Sequence, residues 1–461
     1  MKQIKFRVLA AMTWAVMTAV GLSAQNEPKQ IKLSKEEQEM VKGSNLFAFK
    51  LFGQAQKNSD LILSPLSVTY ALGLLNNGAA GETQEQINKV LGFGDTGADG
   101  INTFCSKLLT EAPGLDELTK VLISNTIFVN QGMGYELKAS FTEKAKTYYQ
   151  AEPDCRDFGD GKTLDVINQW ANDHTEGMIP QILSEDEFDP TFVSYLLNAI
   201  YFKGTWTLKF DEKDTQEEAF ETGSKQPPVV PMMHMEKELP YLEDDDFQAV
   251  RLPYGDGAYA MTVLLPREGK DGIRLLKAMT ANKWNDRYQY PYYYKDAIIV
   301  DLKLPRFETD TNIDLQELMC NLGMPKAFTP AAEFPDFCNT AIYIGLMKQV
   351  AKIKVNEEGT EAAAVTIIGE KTAGVHEPKQ VKFHANRPFM YVISEQSTGA
   401  IFFIGQYTGQ KQDSKGTNAL EKPTVAPSDD NGVIYNLSGQ RLTAPPAKGL
   451  YIQNGKKMVA I

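Results

Sequence analysis

The sequence predicts an α+β protein built around large mixed β-sheets, and three observations carry that expectation. Helical periodicity dominates the first half, β-rich runs dominate the second, and no period of roughly 20–50 residues recurs to suggest a solenoid. With 461 residues, 43% of them hydrophobic, the chain can bury one large core or two ordinary ones. A formal net charge of −12 argues against nucleic acid and anionic membrane as partners.

Taken in order, Lys2, Lys5 and Arg7 precede an apolar stretch from Val8 to Leu22, and Leu22-Ser23-Ala24 offers a small-residue cleavage site. Residues 1–24 thus read as a signal peptide, the mature chain as starting at Gln25, and the protein as secreted, whether extracellular, on the cell surface or in the periplasm. The apolar stretch is shorter than a bilayer requires, so no membrane span is expected, with a retained membrane anchor as the alternative. Residues 25–35 are polar and read as a flexible N-terminus, after which Ser34 with Glu37 three residues on forms a capping-box start for an amphipathic helix. Helices are expected over Ser67 to Asn77, Thr83 to Leu91, Ser140 to Gln150 and Thr163 to Thr175. Strands are expected over Ala258 to Leu265, Ala297 to Leu304, Val350 to Val355, Phe389 to Ser394 and Ala400 to Gln406. The main domain therefore occupies residues 36–410. Residues 411–431 turn polar, with Ser, Lys, Asp and Pro, and read as a linker. The remaining 432–461 carry a small β signature, in which Asn454-Gly455 is a two-residue hairpin turn joining Tyr451-Ile452 to Met458-Val459-Ala460-Ile461.

Motifs for enzymatic chemistry fail on context. Gly92-Phe93-Gly94-Asp95-Thr96-Gly97 satisfies G-x-G-x-x-G but ends a predicted helix, whereas dinucleotide binding needs a strand before it. Gly161-Lys162-Thr163 resembles the end of a P-loop, yet Arg156 stands where the first glycine belongs. Only His174, His234, His376 and His384 could serve as imidazole bases, with neither a His-Glu-x-x-His pair nor a Gly-x-Ser-x-Gly elbow. Glu243-Asp244-Asp245-Asp246 and Glu185-Asp186-Glu187 read as solvated faces. Cys105, Cys155, Cys320 and Cys338 allow three disulfide pairings and fit no zinc spacing. No metal or other cofactor is expected.

The segment from Glu357 to Glu370 contradicts itself. Ala362, Ala363 and Ala364 favour helix, while Val365-Thr366-Ile367-Ile368 favours strand. As a strand it would place Thr360, Ala362, Ala364, Thr366 and Ile368 on one face, the first four small or neutral, and that face could enter between two existing strands without overpacking them.

Its surroundings decide the matter. Upstream stand Ser64-Pro65-Leu66-Ser67-Val68, Gly78-Ala79-Ala80-Gly81-Glu82-Thr83, Asn125-Thr126-Ile127-Phe128, Asn198-Ala199-Ile200-Tyr201-Phe202-Lys203-Gly204-Thr205-Trp206, Met232-Met233 and Leu302-Lys303-Leu304-Pro305-Arg306-Phe307. Downstream come Phe383-His384-Ala385-Asn386-Arg387-Pro388-Phe389 and Ile401-Phe402-Phe403-Ile404-Gly405-Gln406. In this order and at these distances the chain resembles the serpin family of serine protease inhibitors over roughly residues 40 to 410. The resemblance implies a serpin fold, with a helical N-terminal half and an exposed reactive loop, and a protein that is not an enzyme but a suicide substrate. Its target protease would cleave the loop and form an acyl-enzyme, and the freed loop would insert into the central sheet before deacylation.

That resemblance also assigns roles. Glu357, Gly359, Thr360, Glu361, Ala362, Ala363 and Ala364 would form the hinge, with Thr360 entering first; no charge or proline at Thr360 opposes entry. The family's usual spacing puts the cleaved bond between Ala373 and Gly374, with Thr372 and Lys371 as alternative registers. A small residue before the bond suits elastase-like or subtilisin-like serine proteases; cutting after Lys371 would admit trypsin-like ones, and cysteine proteases of similar pocket shape are further candidates. The sheet-opening region, or shutter, would comprise Ser64, Ser67 and Asn198, which match the family, and two departures from it, Asp60 for the usual Asn and Gln349 for a usual His. A monomer is expected. The competing reading is a non-inhibitory serpin-fold binding protein whose loop is merely cleaved, with an exported hydrolase behind it. The resemblance does not reach the tail, which is instead similar to C-terminal tails of exported Bacteroidetes proteins, some of them sorting signals; an appended module without that role is the alternative.

Overall fold

In the computed structural model of the chain, the described residues are 28–93, 96–289, 298–360 and 379–411, together with strands at 434–435, 441–442, 449–453 and 456–460. Two compact units divide at 412/413.

The larger unit opens on α1 (Lys35–Ala55), whose N-terminus carries the capping box expected from the sequence: Ser34 Oγ accepts from Glu37 N at 3.1 Å and Glu37 Oε2 accepts from Ser34 N at 2.7 Å. The stretch before it is not loose where it is described. Ile31 is buried and its N–H donates to Ser397 Oγ, and Lys107 Nζ donates to Lys32 O, so residues 28–34 lie along the body without forming a helix or strand. Leu33 is half-buried against the same core, and two apolar residues, Ile31 and Leu33, are too few to give a periodic signal, so polarity dominates the reading of the segment.

Next come β1 (Leu61–Leu63), α2 (Pro65–Asn76), α3 (Gly81–Leu91) and α4 (Ala98–Glu111). Ser64 caps α2 and Pro65 sits in its first turn, where a missing N–H costs nothing. Every residue of α2 is buried, so this helix is the spine of the core. Gly92 ends α3 in the left-handed region (φ 72°) and Gly97 stands at the N-cap of α4, so the glycine-rich motif joins two helices.

The first half also contains β2 (Thr119–Asn130), α5 (Ala139–Tyr149), β3 (Asp154–Arg156), α6 (Thr163–His174) and β4 (Ser194–Thr205). β2 and β4 are long strands that helical dominance of this half did not anticipate. Both faces of β4 are covered, so it has no apolar–polar alternation to betray it. The second half supplies β5 (Gln216–Ala219), β6 (Val229–Leu239), β7 (Tyr241–Glu243), β8 (Phe247–Tyr254), β9 (Tyr259–Pro266), α7 (Gly272–Lys277), α8 (Ala281–Arg287), β10 (Ile298–Pro305), β11 (Phe307–Asp314), α9 (Gln316–Leu322), β12 (Leu346–Asn356), β13 (Gly359–Thr360), β14 (Gln380–His384), β15 (Phe389–Glu395) and β16 (Ile401–Tyr407).

These strands form three sheets. The first has the order β11-β12-β13-β4-β2-β3, the second β1-β16-β15-β9-β8-β7, and the third β14-β10-β6-β5. The main core fills the space on the α1–α2 side of the first sheet, and a second cluster packs α6 and the chain after it onto the opposite face through Ile167, Ile179, Leu183, Tyr195 and Leu197. Among the described residues no helix is long and apolar enough to cross a membrane. All four cysteines are free thiols, and burial pushes Cys338 up to about 12.

The smaller unit holds β17 (Ile434–Tyr435), β18 (Arg441–Leu442), β19 (Gly449–Gln453) and β20 (Lys456–Ala460) in the order β18-β17-β19-β20. β19 and β20 pair antiparallel from Gly449↔Ala460 to Gln453↔Lys456, as a two-residue Asn454-Gly455 turn requires; the turn itself lies outside the described residues.

Candidate functional site: the seam between β12 and β4

β12 and β4 run parallel and pair directly only over part of their length, from Leu346↔Tyr195 to Lys352↔Tyr201. Beyond that point they diverge, and β13 fills the gap. Gly359 and Thr360 pair antiparallel with Asn356 and Val355 on one side and with Thr205 and Gly204 on the other.

The local sequence explains the reversal from β12 into β13. Asn356 Oδ1 accepts from Glu358 N (3.0 Å) and Gly359 N (3.1 Å), a side-chain turn that Asn favours. Gly359 has φ 148°, and a Cβ there would lie 2.1 Å from the Gly204 oxygen, so only glycine fits between the two strands. Trp206 closes the turn: its Nε1 donates to Asn356 O at 2.9 Å, its backbone N donates to Glu358 O at 2.9 Å, and its ring stacks on Tyr254 at 4.4 Å. The Tyr254 hydroxyl meets Thr360 Oγ1 at 2.8 Å in a fully buried setting, and burial pushes the Tyr254 phenol well up.

Two acids anchor the approach. Glu357 is 3% exposed and accepts from Arg306 Nη2 (2.6 Å), Arg306 Nε (3.1 Å) and Thr215 Oγ1 (2.6 Å). Desolvation works to raise its pKa, but the hydrogen bonds from Arg306 and Thr215 outweigh it and hold the carboxyl below its usual range. Glu358 pairs with Lys209 at 2.5 Å.

Lower on the seam, polar side chains bridge the two strands on the core side. Gln349 Nε2 donates to Asn198 Oδ1 at 2.7 Å and to Ser64 O at 3.0 Å, while its Oε1 accepts from Ser64 N at 3.0 Å. Asn198 Nδ2 donates to Ser67 Oγ and, at 2.6 Å, to Asn125 Oδ1, and Ser64 Oγ caps Ser67 N. All of these groups are buried. Glutamine at 349 both donates and accepts, which is what the position demands between a backbone N–H, a carbonyl and an amide oxygen.

Of the residues proposed from sequence for the shutter, Ser64, Ser67, Asn198 and Gln349 come together; Asp60 does not. Its Oδ1 accepts from Thr408 N (2.6 Å) and Thr408 Oγ1 (2.9 Å), and its own N–H donates to Gln410 O. Burial raises its pKa despite these bonds. Asp60 thus clasps the end of the larger unit, because β1 pairs with β16 and brings residue 60 beside 408 rather than beside the seam. Thr360, expected to enter the sheet only after cleavage, already sits in it. Glu361, Ala362, Ala363, Ala364, Lys371, Thr372, Ala373 and Gly374 lie outside the described residues.

Sequence reading named Asn125, Trp206 and Arg306 only within family motifs and assigned them no role, and it did not point to Thr215 or Tyr254. Asn125 had a signal of its own, an amide in mid-strand within an apolar run; the roles of the others rest on pairings across 51 to 150 residues. Among the described residues no cluster of His, Cys, Asp and Glu is suited to a metal. Within the acidic run at 243–246, Glu243 pairs with Arg267 and Lys379, Asp244 with Arg287, and Asp246 with Lys270 and Lys283.

Residues 42–409 match the family model described as Serpin (serine protease inhibitor). The chain belongs to the serpin family. It is 31% identical over 389 residues to Iripin-2 of Ixodes ricinus, a match covering 81% of this chain and 94% of that protein, and 29% identical over 378 residues to Serpin B6 of Macaca fascicularis, covering 80% and 99%. Among solved structures, the thermophilic serpin tengpin in its native state has a TM-score of 0.72 at 28% identity, covering 82% of this chain and 96% of that one. Human thyroxine-binding globulin with its hormone has a TM-score of 0.71 at 25% identity, covering 80% and 98%. The fold is therefore the serpin fold, helices packed on large mixed sheets. Serpins are typically protease inhibitors and generally not enzymes, and some are binding proteins.

Proposed function

We propose that this serpin is a secreted, single-use inhibitor of serine proteases. The observation that carries the reading is the docked pair Gly359–Thr360, which stands between β12 and β4 as the first rung of an additional strand. A protease serine would attack the carbonyl of Ala373 and expel the amine of Gly374, leaving an acyl-enzyme and a freed segment from Glu361 to Ala373. Continuing the register of β13 downward would bring Ala362 opposite Ile353, Ala364 opposite Ala351 and Thr366 between Gln349 and Asn198. A hydroxyl would thus replace the amide bond that opening breaks, on the same small-residue face as Thr360. About ten further ladder bonds at ~0.5–1.5 kcal/mol each favour the inserted state.

Residues 1–24 would direct export, and the small unit beyond residue 412 would act as a sorting signal or an appended module. Elastase-like and subtilisin-like enzymes suit Ala373, trypsin-like ones suit Lys371, and cysteine proteases are further targets. The test is incubation with elastase, subtilisin, trypsin and papain followed by denaturing electrophoresis. A denaturant-resistant adduct near the summed masses is expected; clipping without an adduct, by all four, would favour a binding protein whose loop is only cut. Mass spectrometry of the clipped loop fixes the scissile bond.

A further inference from the structure

The face of the seam opposite Gln349 carries a second tie. Lys348, on β12, is 1% exposed, and its Nζ pairs with the carboxylate of Glu187. A lysine so buried is costly unless its charge is matched; burial pulls its pKa down, while the Glu187 carboxylate acts to hold the charge.

The two partners belong to opposite sides of the seam. Glu187 lies in the connection between α6 and β4. That connection is fastened to α6 by Asn168, which accepts from Ile182 N and Leu183 N and donates to Leu183 O, and to β4 by Tyr195, whose hydroxyl bonds Asp189 N and Asp189 O. Ser184 N and Oγ, each 2.9 Å from Glu187 Oε2, fix the carboxylate in place. Lys348 belongs to β12, and its register neighbour Asp314 on β11 lies on the same side of the seam. Separating β12 from β4 by one strand spacing, about 4.8 Å, carries Lys348 away from Glu187 but not from Asp314.

We infer that the Lys348–Glu187 pair is a latch across the seam that sets how fast a strand can enter the sheet. This rests on the inhibitor reading and adds to it a pair of rate-setting residues outside the reactive loop. The pair opposes opening of the lower seam, so it keeps the intact protein from admitting strands before cleavage, and it slows the loop in its race with deacylation. Neither residue touches the protease.

The latch is tested with Glu187→Gln, Lys348→Met, the double variant and Lys348→Arg. A synthetic peptide with the sequence of residues 361–372 serves as the incoming strand, and its annealing to the uncleaved full chain is followed by native electrophoresis. Glu187→Gln and Lys348→Met are expected to anneal at least about fivefold faster than the wild type. The double variant should be no faster than Lys348→Met alone, and Lys348→Arg should keep a rate near wild type, a rescue that general loosening of the core would not produce. If Glu187→Gln fails to fold because the lysine is left unpaired, Lys348→Met decides. Annealing of folded variants at the wild-type rate overturns the latch while leaving the inhibitor reading intact. Annealing to none of the proteins, with no gain in melting temperature on nicking the wild type, overturns both.

Discussion

The upper and lower ends of one seam contrast sharply. At the top, two residues of β13 already separate β12 from β4, held by ladder bonds on both flanks, by Tyr254 and by the Glu357–Arg306 pair. At the bottom the same strands bond directly, with Gln349 and Asn198 tying them on the core side and Lys348 and Glu187 on the other. On the inhibitor reading proposed above, insertion would have no nucleation step left to make: the first contact is formed by Gly359 and Thr360, and what would remain is propagation against buried polar ties that the incoming strand must replace.

The sharpest way to break that comparison is to block the upper end. Thr360→Arg places an unpaired charge where exposure is zero, a cost of several kcal/mol, and each ~1.4 kcal/mol is tenfold in partition between trapping and hydrolysis. Denaturing electrophoresis should show the adduct all but replaced by clipped protein. An undiminished adduct would mean that the docked pair is not the start of the inserted strand.

Weakening the lower end should act in the other sense. Gln349→Ala removes three hydrogen bonds and strands Ser64 N and Asn198 Oδ1, costing the intact fold about 2–4 kcal/mol. Its melting temperature should fall more in the intact than in the nicked protein, because only the intact form relies on Gln349 bonding Asn198 directly. Unchanged stability and unchanged trapping together would remove Gln349 from the account.

The sequence made much of this legible, and unevenly. The capping box at Ser34, α2 behind Ser64-Pro65 and the strands β9, β10, β12, β15 and β16 follow from local chemistry and lie within a few residues of their expected bounds, whereas β6, β8 and β11 were not named. β4, which frames the seam with β12, was invisible to periodicity because burial on both sides erases alternation, as it does at the end of β2 from Asn125 to Asn130; at the start of β2 the half-buried Leu122, Ile123 and Ser124 interrupt the alternation. Family resemblance named five residues for a shutter; Ser64, Ser67, Asn198 and Gln349 meet in one hydrogen-bonded cluster, while Asp60 finds its partners in Thr408 and Gln410 across the whole domain. The ties at Arg306–Glu357 and Lys348–Glu187 join residues 51 and 161 apart, and no local rule links them.

Acid should sharpen the comparison further. The folded pKa of Glu357 lies below its ordinary 4.5, so its contribution is complete above pH 4.5 and is lost as pH falls through the lower folded value. Glu357→Gln should therefore lower the melting temperature of the intact protein at pH 7 and flatten its decline below pH 4.5; equal declines in both proteins would count against the anchor. The smallest effect belongs to Tyr254→Phe, which deletes one buried hydroxyl and should cost about 1 kcal/mol by denaturant unfolding, with trapping retained.

The most direct measurement compares melting of the intact protein with that of the same protein nicked between Ala373 and Gly374. The account predicts a higher melting temperature for the nicked form, because the released segment completes the strand that Gly359 and Thr360 begin. A nicked form that melts at or below the intact one would contradict it.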